Sequence, residues 1–176
     1  VDRGSRMKVN DIVFVGNQNV PSSKLRKLFS DTKRKSWWRI FKRSKFIEDT
    51  YNEEKSQIVA YYNTLGFRDA VLVADTFFLH DEKSVDIQLT INEGRKYYFR
   101  NITWTGNTKF TSDTLSKLLD IKRGDVYDQS TLESRLFMNP RGYDISALYM
   151  DDGYLFFQVV PVEVKVDNDS IDLEIR

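Results

Sequence analysis

The 176-residue chain contains no cysteine, which excludes disulfide staples and thiolate metal sites. It has a single histidine, His80, in a polar stretch where it reads as a solvated turn residue. No His/Asp cluster has metal-ligand spacing, and no G-x-x-x-x-G-K-[ST] loop is present, so bound metal and cradled phosphate have no sequence support. The adjacent carboxylates Asp151 and Asp152 precede Gly153 and mark a helix end better than an acid/base pair. No catalytic residue and no cofactor are expected. No apolar run approaches the length of a membrane-spanning helix. Net charge is only +1, and prolines number three, at positions 21, 140 and 161. Apolar residues make up 40% of the chain and aromatic residues 14%, enough for folded cores and too much for a disordered chain.

What the chain does have is a repeat. Ile12-x-Phe14-x-Gly16-Asn17-x-x-Val20-x-Ser22-x-x-Leu25-x-Lys27-Leu28 returns 90 residues later as Ile102-x-Trp104-x-Gly106-Asn107-x-x-Phe110-x-Ser112-x-x-Leu115-x-Lys117-Leu118. Ile58-x-Ala60-x-Tyr62-x-x-x-Gly66-Phe67 is answered by Ile145-x-Ala147-x-Tyr149-x-x-x-Gly153-Tyr154, and Val85–Leu89 by Ile171–Ile175. Duplication at this period predicts a tandem of small domains. Val1-Asp2-Arg3-Gly4 matches Ile91-Asn92-Glu93-Gly94, so residues 1–7 are expected to be the tail of a preceding unit. Units then follow at 8–94 and 95–176, an excerpt from inside a longer array.

Each unit opens with a strand, Val9–Val15 or Phe99–Thr105, closed by a Gly-Asn turn. A helix follows, with Leu25, Leu28 and Phe29 on one face in the first copy and Leu115, Leu118 and Leu119 in the second. The second helix of copy one is expected to start at Thr50-x-x-Glu53, a capping-box pattern, and to stop at Gly66. In copy two the Asn139-Pro140-Arg141-Gly142 run predicts a break. A hairpin closes each unit: strands from about Arg68 to Leu79 and Leu155 to Val166, turns at 80–83 and 167–169, then alternating Val85, Ile87, Leu89, Ile91 or Ile171, Leu173, Ile175. The fold class is α+β: two tandem β-α-α-β-β units, each a small three-stranded mixed sheet with two helices on one face. The second strand of each hairpinned unit should be a sheet edge.

This element order, the Gly-Asn turn, the Gly-aromatic step at 66–67 and 153–154 and the closing Ile91-x-Glu93-Gly94 resemble the POTRA domain, here in two consecutive copies. Lys35–Lys42 (KSWWRIFK), Gly66–Ala70, Lys96–Phe99, Lys122–Tyr127 and Asp152–Phe157 bring the resemblance closer to BamA-like outer-membrane protein assembly factors, in a Bacteroidetes-like version. The resemblance implies a non-catalytic periplasmic scaffold that precedes a membrane β-barrel. Its partners would be unfolded outer-membrane proteins, accessory lipoproteins and neighbouring POTRA units.

Three candidate sites follow. The first is the edge strand, which could pair with an extended client: Arg68, Asp69, Ala70, Val71, Leu72, Val73 and Ala74 in copy one, and Leu155, Phe157 and Val159 in copy two. Pro161 interrupts the second edge, which favours the first; the plainer reading is that the edges are simply solvated or covered. The second is the basic aromatic insert at 33–46. Its stretch Lys33–Lys45 holds seven Lys/Arg, no acid, and Trp37, Trp38, Arg39, Phe41 and Lys42 as possible docking residues. Partner docking, anionic headgroups and nucleic acid compete for it, against simple packing on its own domain. A nucleic-acid-binding α+β protein is therefore the alternative of a different class, although no nucleic acid is expected as a partner. A POTRA array of a secretion or import pore is the nearer alternative. The third site is a hinge at Gly94, Arg95, Lys96 and Tyr97, with no Ser/Gly/Pro-rich linker between the units.

Overall fold

The computed structural model describes residues 8–29, 45–82 and 84–176. Two compact units emerge, one from residues up to 62 together with 69–94, the other from 63–68 together with 95–176.

The first unit runs β1 (Lys8–Val15), α1 (Ser22–Leu28), α2 (Lys45–Thr64), β2 (Val71–Asp81) and β3 (Ser84–Asn92). Strand order is β1-β3-β2, with β1 parallel and β2 antiparallel to the central β3. A parallel pair needs a long crossover, and the helices supply it. Along β3 the alternation works as read: Val85, Ile87, Leu89 and Ile91 are buried, while Asp86, Gln88 and Thr90 point the other way. Val9, Ile12 and Phe14 of β1 join them, and the helices contribute Leu25, Tyr51, Ile58 and Tyr62, with Phe29 at the end of α1. Rings step through this core from Phe14 to Phe29 to Tyr51 to Phe77 at centroid separations of 6.1, 6.2 and 6.1 Å.

Helix α2 begins at Lys45, so Thr50 is an interior residue and not a cap. The intervening Phe46-Ile47-Glu48-Asp49 contains no breaker, and a T-x-x-E pattern can sit inside a helix at a small propensity cost. His80 also moves: β2 continues through it to Asp81, and its Nδ1 lies 3.1 Å from the Asp86 carboxylate.

Glu93 closes this unit. Its carboxylate accepts the Asn19 backbone N–H (3.0 Å), the Asn19 side-chain amide (2.6 Å) and the Tyr62 hydroxyl (2.8 Å). Burial pushes the carboxyl pKa up, but the bonds from Tyr62, Asn19 and the Val20 N–H outweigh it and hold the group below its usual range. The backbone before Glu93 presses on the turn after β1: a Cβ on Gly16, at φ +87°, would stand 2.1 Å from the Ile91 carbonyl oxygen. Only glycine fits there.

The second unit runs β4 (Tyr98–Trp104), α3 (Ser112–Leu119), α4 (Gln129–Leu136), α5 (Ile145–Asp151), β5 (Pro161–Asp167) and β6 (Ser170–Ile175), with strand order β4-β6-β5. Its core gathers Phe99, Leu115, Leu119, Leu132, Leu136, Ile145, Ile171, Leu173 and Ile175. The break expected at 139–142 is present, and the segment forms two helices. Helix α4 ends before Asn139-Pro140, where a proline ring would clash with the preceding turn. The chain restarts at Asp144, whose carboxylate accepts the Ala147 N–H at 2.8 Å and also the Asn139 N–H at 3.0 Å.

The second hairpin strand is shorter than the expected Leu155 to Val166. Residues 155–160 lie outside β5, which starts at Pro161, the position where a strand tolerates proline best. After α5, Gly153 takes φ +92° and the Phe157 N–H bonds back to the Tyr154 carbonyl, turning the chain before it can extend.

Candidate client-binding edge

Strand β2 is 11 residues long and has one flank on β3. Its other flank pairs with no strand among the described residues. The backbone N–H and C=O groups on such a flank are what an added strand would pair with. Register fixes which side chains go where. Leu72 opposite Ile91, Asp75 opposite Leu89, Phe77 opposite Ile87 and Leu79 opposite Val85 lie on the helix-covered face; Val71, Ala74, Thr76 and Phe78 lie on the open face. Leu72 and Asp75 are three apart yet share a face because Val73 is an unpaired bulge residue between them. Val73 is 62% exposed and Leu79 75%, and Val71, Phe77 and Phe78 are also exposed.

The edge carries its own guard. Asp75 faces the helix layer, where its carboxylate accepts Lys55 Nζ at 2.9 Å and the Tyr51 hydroxyl at 3.2 Å. The Lys55 bond, followed by the Tyr51 bond, draws the Asp75 pKa below its usual range against the penalty of burial. Burial, then the Asp75 charge, pushes the Tyr51 phenol well above its ordinary value. An inward charge and two bulges, at Val73 and His80, are the devices that keep an edge from adhering indiscriminately.

Of the first-copy residues expected on this edge, Val71, Leu72, Val73 and Ala74 are on β2. Arg68, Asp69 and Ala70 are not. They occupy the turn that follows Gly66, and Ala70 is buried. Within the second unit, Arg68 donates to Glu163, whose carboxylate also accepts the Tyr127 hydroxyl at 2.7 Å. In copy two, Leu155, Phe157 and Val159 are off the edge for the reason given above. Phe157 instead stacks on Tyr149, centroids 3.8 Å apart and planes 8° from parallel. Edge β5 itself is 7 residues long, with a register shift at Val164.

Among the hinge residues, Gly94 ends the first unit at φ +67° and Arg95 begins the second. Tyr97 is buried in the second unit's core; its N–H donates to the Gly66 carbonyl and its own carbonyl accepts the Tyr127 N–H. Trp37, Trp38, Arg39, Phe41 and Lys42 lie outside the described residues. Among the described residues no group of three His, Cys, Asp or Glu could hold a metal ion, and no helix is long and apolar enough to cross a membrane.

One paired feature was missed at the level of sequence. Strand β1 bulges between Val9 and Asp11, and the Asp86 carboxylate takes the Asn10 side-chain amide (2.8 Å) and the Asp11 N–H (3.0 Å). Strand β4 shifts register between Phe99 and Ile102, and Asp172 takes Arg100 at two nitrogens (both 2.8 Å) plus the Asn101 N–H (3.2 Å). The aligned Val85-Asp86-Ile87 and Ile171-Asp172-Leu173 are the signal that could have revealed it.

Two three-stranded mixed sheets, each with the last strand in the middle and helices on one face, define a tandem of one small α+β module. The chain belongs to the POTRA family, described as surface antigen variable number repeat, which matches residues 7–94 and 97–176. It is similar to the outer membrane protein assembly factor BamA of Buchnera aphidicola, 24% identical over 169 residues that span 96% of this chain and 26% of that protein. BamA of Neisseria meningitidis is 26% identical over 138 residues, 77% of this chain and 17% of that protein. Among solved structures, POTRA3-5 of Haemophilus influenzae BamA superposes with a TM-score of 0.68 at 26% identity, covering 99% of this chain and 67% of that one. The chain thus spans about a quarter or less of the length of these two BamA proteins.

Proposed function

We propose that this tandem is a periplasmic scaffold segment of an outer-membrane protein assembly factor, and that it holds unfolded barrel precursors by strand addition to β2. One observation carries the reading: an 11-residue edge with its outer flank unpaired among the described residues, exposing Val71, Val73, Phe78 and Leu79. Main-chain hydrogen bonding is independent of client sequence, which suits a receptor for many different barrel strands, and the exposed apolar side chains meet the alternate apolar residues of such strands. The assembly role named for the BamA relatives supports the same reading. Its partners in this role are precursors in transit, accessory lipoproteins, further POTRA units and a membrane β-barrel. It performs no covalent chemistry.

The test is an amide NMR titration with an extended amphipathic peptide copied from a membrane β-strand. Saturable shifts on Val71–Leu79, with slowed exchange of the outward amides, are expected, and Val73→Pro should weaken them by removing a backbone donor from the edge strand. A Val73→Pro chain that keeps its native spectrum and binds the peptide unchanged overturns the assignment.

A further inference from the structure

Each edge strand turns one acid toward its helix layer, and each acid holds the same two kinds of partner. On β2, Asp75 accepts Lys55 Nζ at 2.9 Å and the Tyr51 hydroxyl at 3.2 Å. On β5, Glu163 lies opposite the buried Leu173 and accepts the Tyr127 hydroxyl at 2.7 Å together with the Arg68 guanidinium. The two trios do not align. Leu173 answers Ile87, whereas Asp75 stands opposite Leu89; Tyr51 and Lys55 lie within α2, whereas Tyr127 precedes α4. Both tyrosines are buried. At Asp75 the two bonds fall on one oxygen, Oδ2, and 35% of its side chain stays exposed beside 25% of that of Lys55. Lys55 is committed on a second side, its Nζ 4.6 Å from the centre of the Tyr51 ring. Burial, followed by Asp75 and Glu54, pushes the Tyr51 phenol up, which marks this corner as already supplied with negative charge.

An unpaired inward charge would bar every added strand, because covering it leaves a buried charge without a partner. Asp75 with Lys55 and Tyr51 can be covered, provided that the newcomer brings no second negative charge. The residue opposite Asp75 on an added strand would place its Cβ about 5 Å away on the same face. A lysine, threonine or asparagine there can donate to the acceptor capacity that Asp75 has left. A carboxylate has no proton to offer and finds Lys55 already taken. We propose that Asp75 is a charge filter on the β2 edge: it admits strands whose residue opposite it is neutral or a hydrogen-bond donor and rejects those with Asp or Glu there. The filter rests on strand addition at β2 and adds the chemical class of the client, an extended segment without an acid at one inward position. Phe77 and Leu79 share that face and would meet the alternate residues of the same segment.

The test titrates the full chain with one peptide copied from a membrane β-strand, carrying a single glutamate, or a single lysine, at each residue in turn. All glutamate peptides have the same net charge, so only position separates them. Amide shifts on Val71–Leu79 report binding. At one position the preference for lysine over glutamate should exceed that at the others about tenfold or more, as like charges held opposite each other require. Asp75→Asn should bring that position to within about twofold of the rest. Lys55→Gln, which leaves Asp75 without its cation, should enlarge the preference. A preference equal at every position, one that persists in Asp75→Asn, or one that shrinks in Lys55→Gln overturns the filter while strand addition stands. No shift on β2 with any peptide overturns strand addition and the filter with it.

Discussion

Asp86 and Asp172 show how little a single side chain must do to matter. Each sits on the open face of a central strand and gathers the loose donors of a bulged neighbour. The Arg100 fork beside Asp172 holds its carboxyl at a pKa of about 2, below the ordinary 3.8. A depressed folded-state pKa means the stabilisation is fully present above pH 3.8 and is lost as pH falls through 2, so a carbon-detected titration should find Asp172 still ionised at pH 3. An Asp172 that titrates near 4 would show the Arg100 pairing to be absent in solution. Gly16 and Gly106 make a sharper residue-scale contrast, because the sequence presents them as the same Gly-Asn turn. Ala at Gly16 meets backbone 2.1 Å away and should cost roughly 3 kcal/mol. Ala at Gly106 meets only the φ penalty, about 1 kcal/mol, and urea unfolding of both variants checks the difference. Nothing in the residue letters separates these two glycines; what packs on them does.

At the scale of elements, the helix break in the second repeat is an instructive success and the hairpin strands an instructive failure. Pro140 makes the break legible because a missing N–H is a local property. Asp144 then supplies the restart, accepting two backbone N–H groups from a buried position. Asp144→Ala should therefore cost about 2 kcal/mol, the upper end for a cap, whereas Pro140→Ala should change stability by less than about 0.5 kcal/mol; thermal unfolding distinguishes them. The expected start of β5 at Leu155 fails because the run Leu-Phe-Phe-Gln-Val-Val at 155–160 has a strand's composition while answering to a different demand. Phe157 and Val159 pack against the second core, and Phe157 does so by stacking on Tyr149. A short apolar, aromatic run does not by itself separate a strand from a turn packed on the core. Val73 is the reverse case: the edge was foreseen, but its bulge depends on the register of β3 opposite, which no local pattern encodes.

At the scale of the whole molecule, the duplication made the architecture readable: two imperfect copies of one pattern constrain each other. The edge followed from that architecture, since a hairpin whose second strand lies in the middle leaves its first strand outside. The inward Asp75 and its Lys55 and Tyr51 partners did not follow, because their meeting depends on helix α2 lying across β2. Strands β3 and β6, paired on both flanks, should hold the slowest-exchanging amides of their units, with β2 and β5 faster. Native-state hydrogen exchange that protects β2 as strongly as β3 in the free chain would mean that the edge is already covered.

The strand orders β1-β3-β2 and β4-β6-β5 have a consequence for how such a chain comes into being. In each unit the strand threaded last is the one that both others need. A polypeptide delivered N-terminus first, from a ribosome or through a translocation channel, carries two unmatched strands until its final segment emerges. Closure waits for β3 or β6, which can then fold back on β2 or β5 from the turn and pair with β1 or β4 on its other flank. During that wait the nascent module is itself a set of open strands in need of partners.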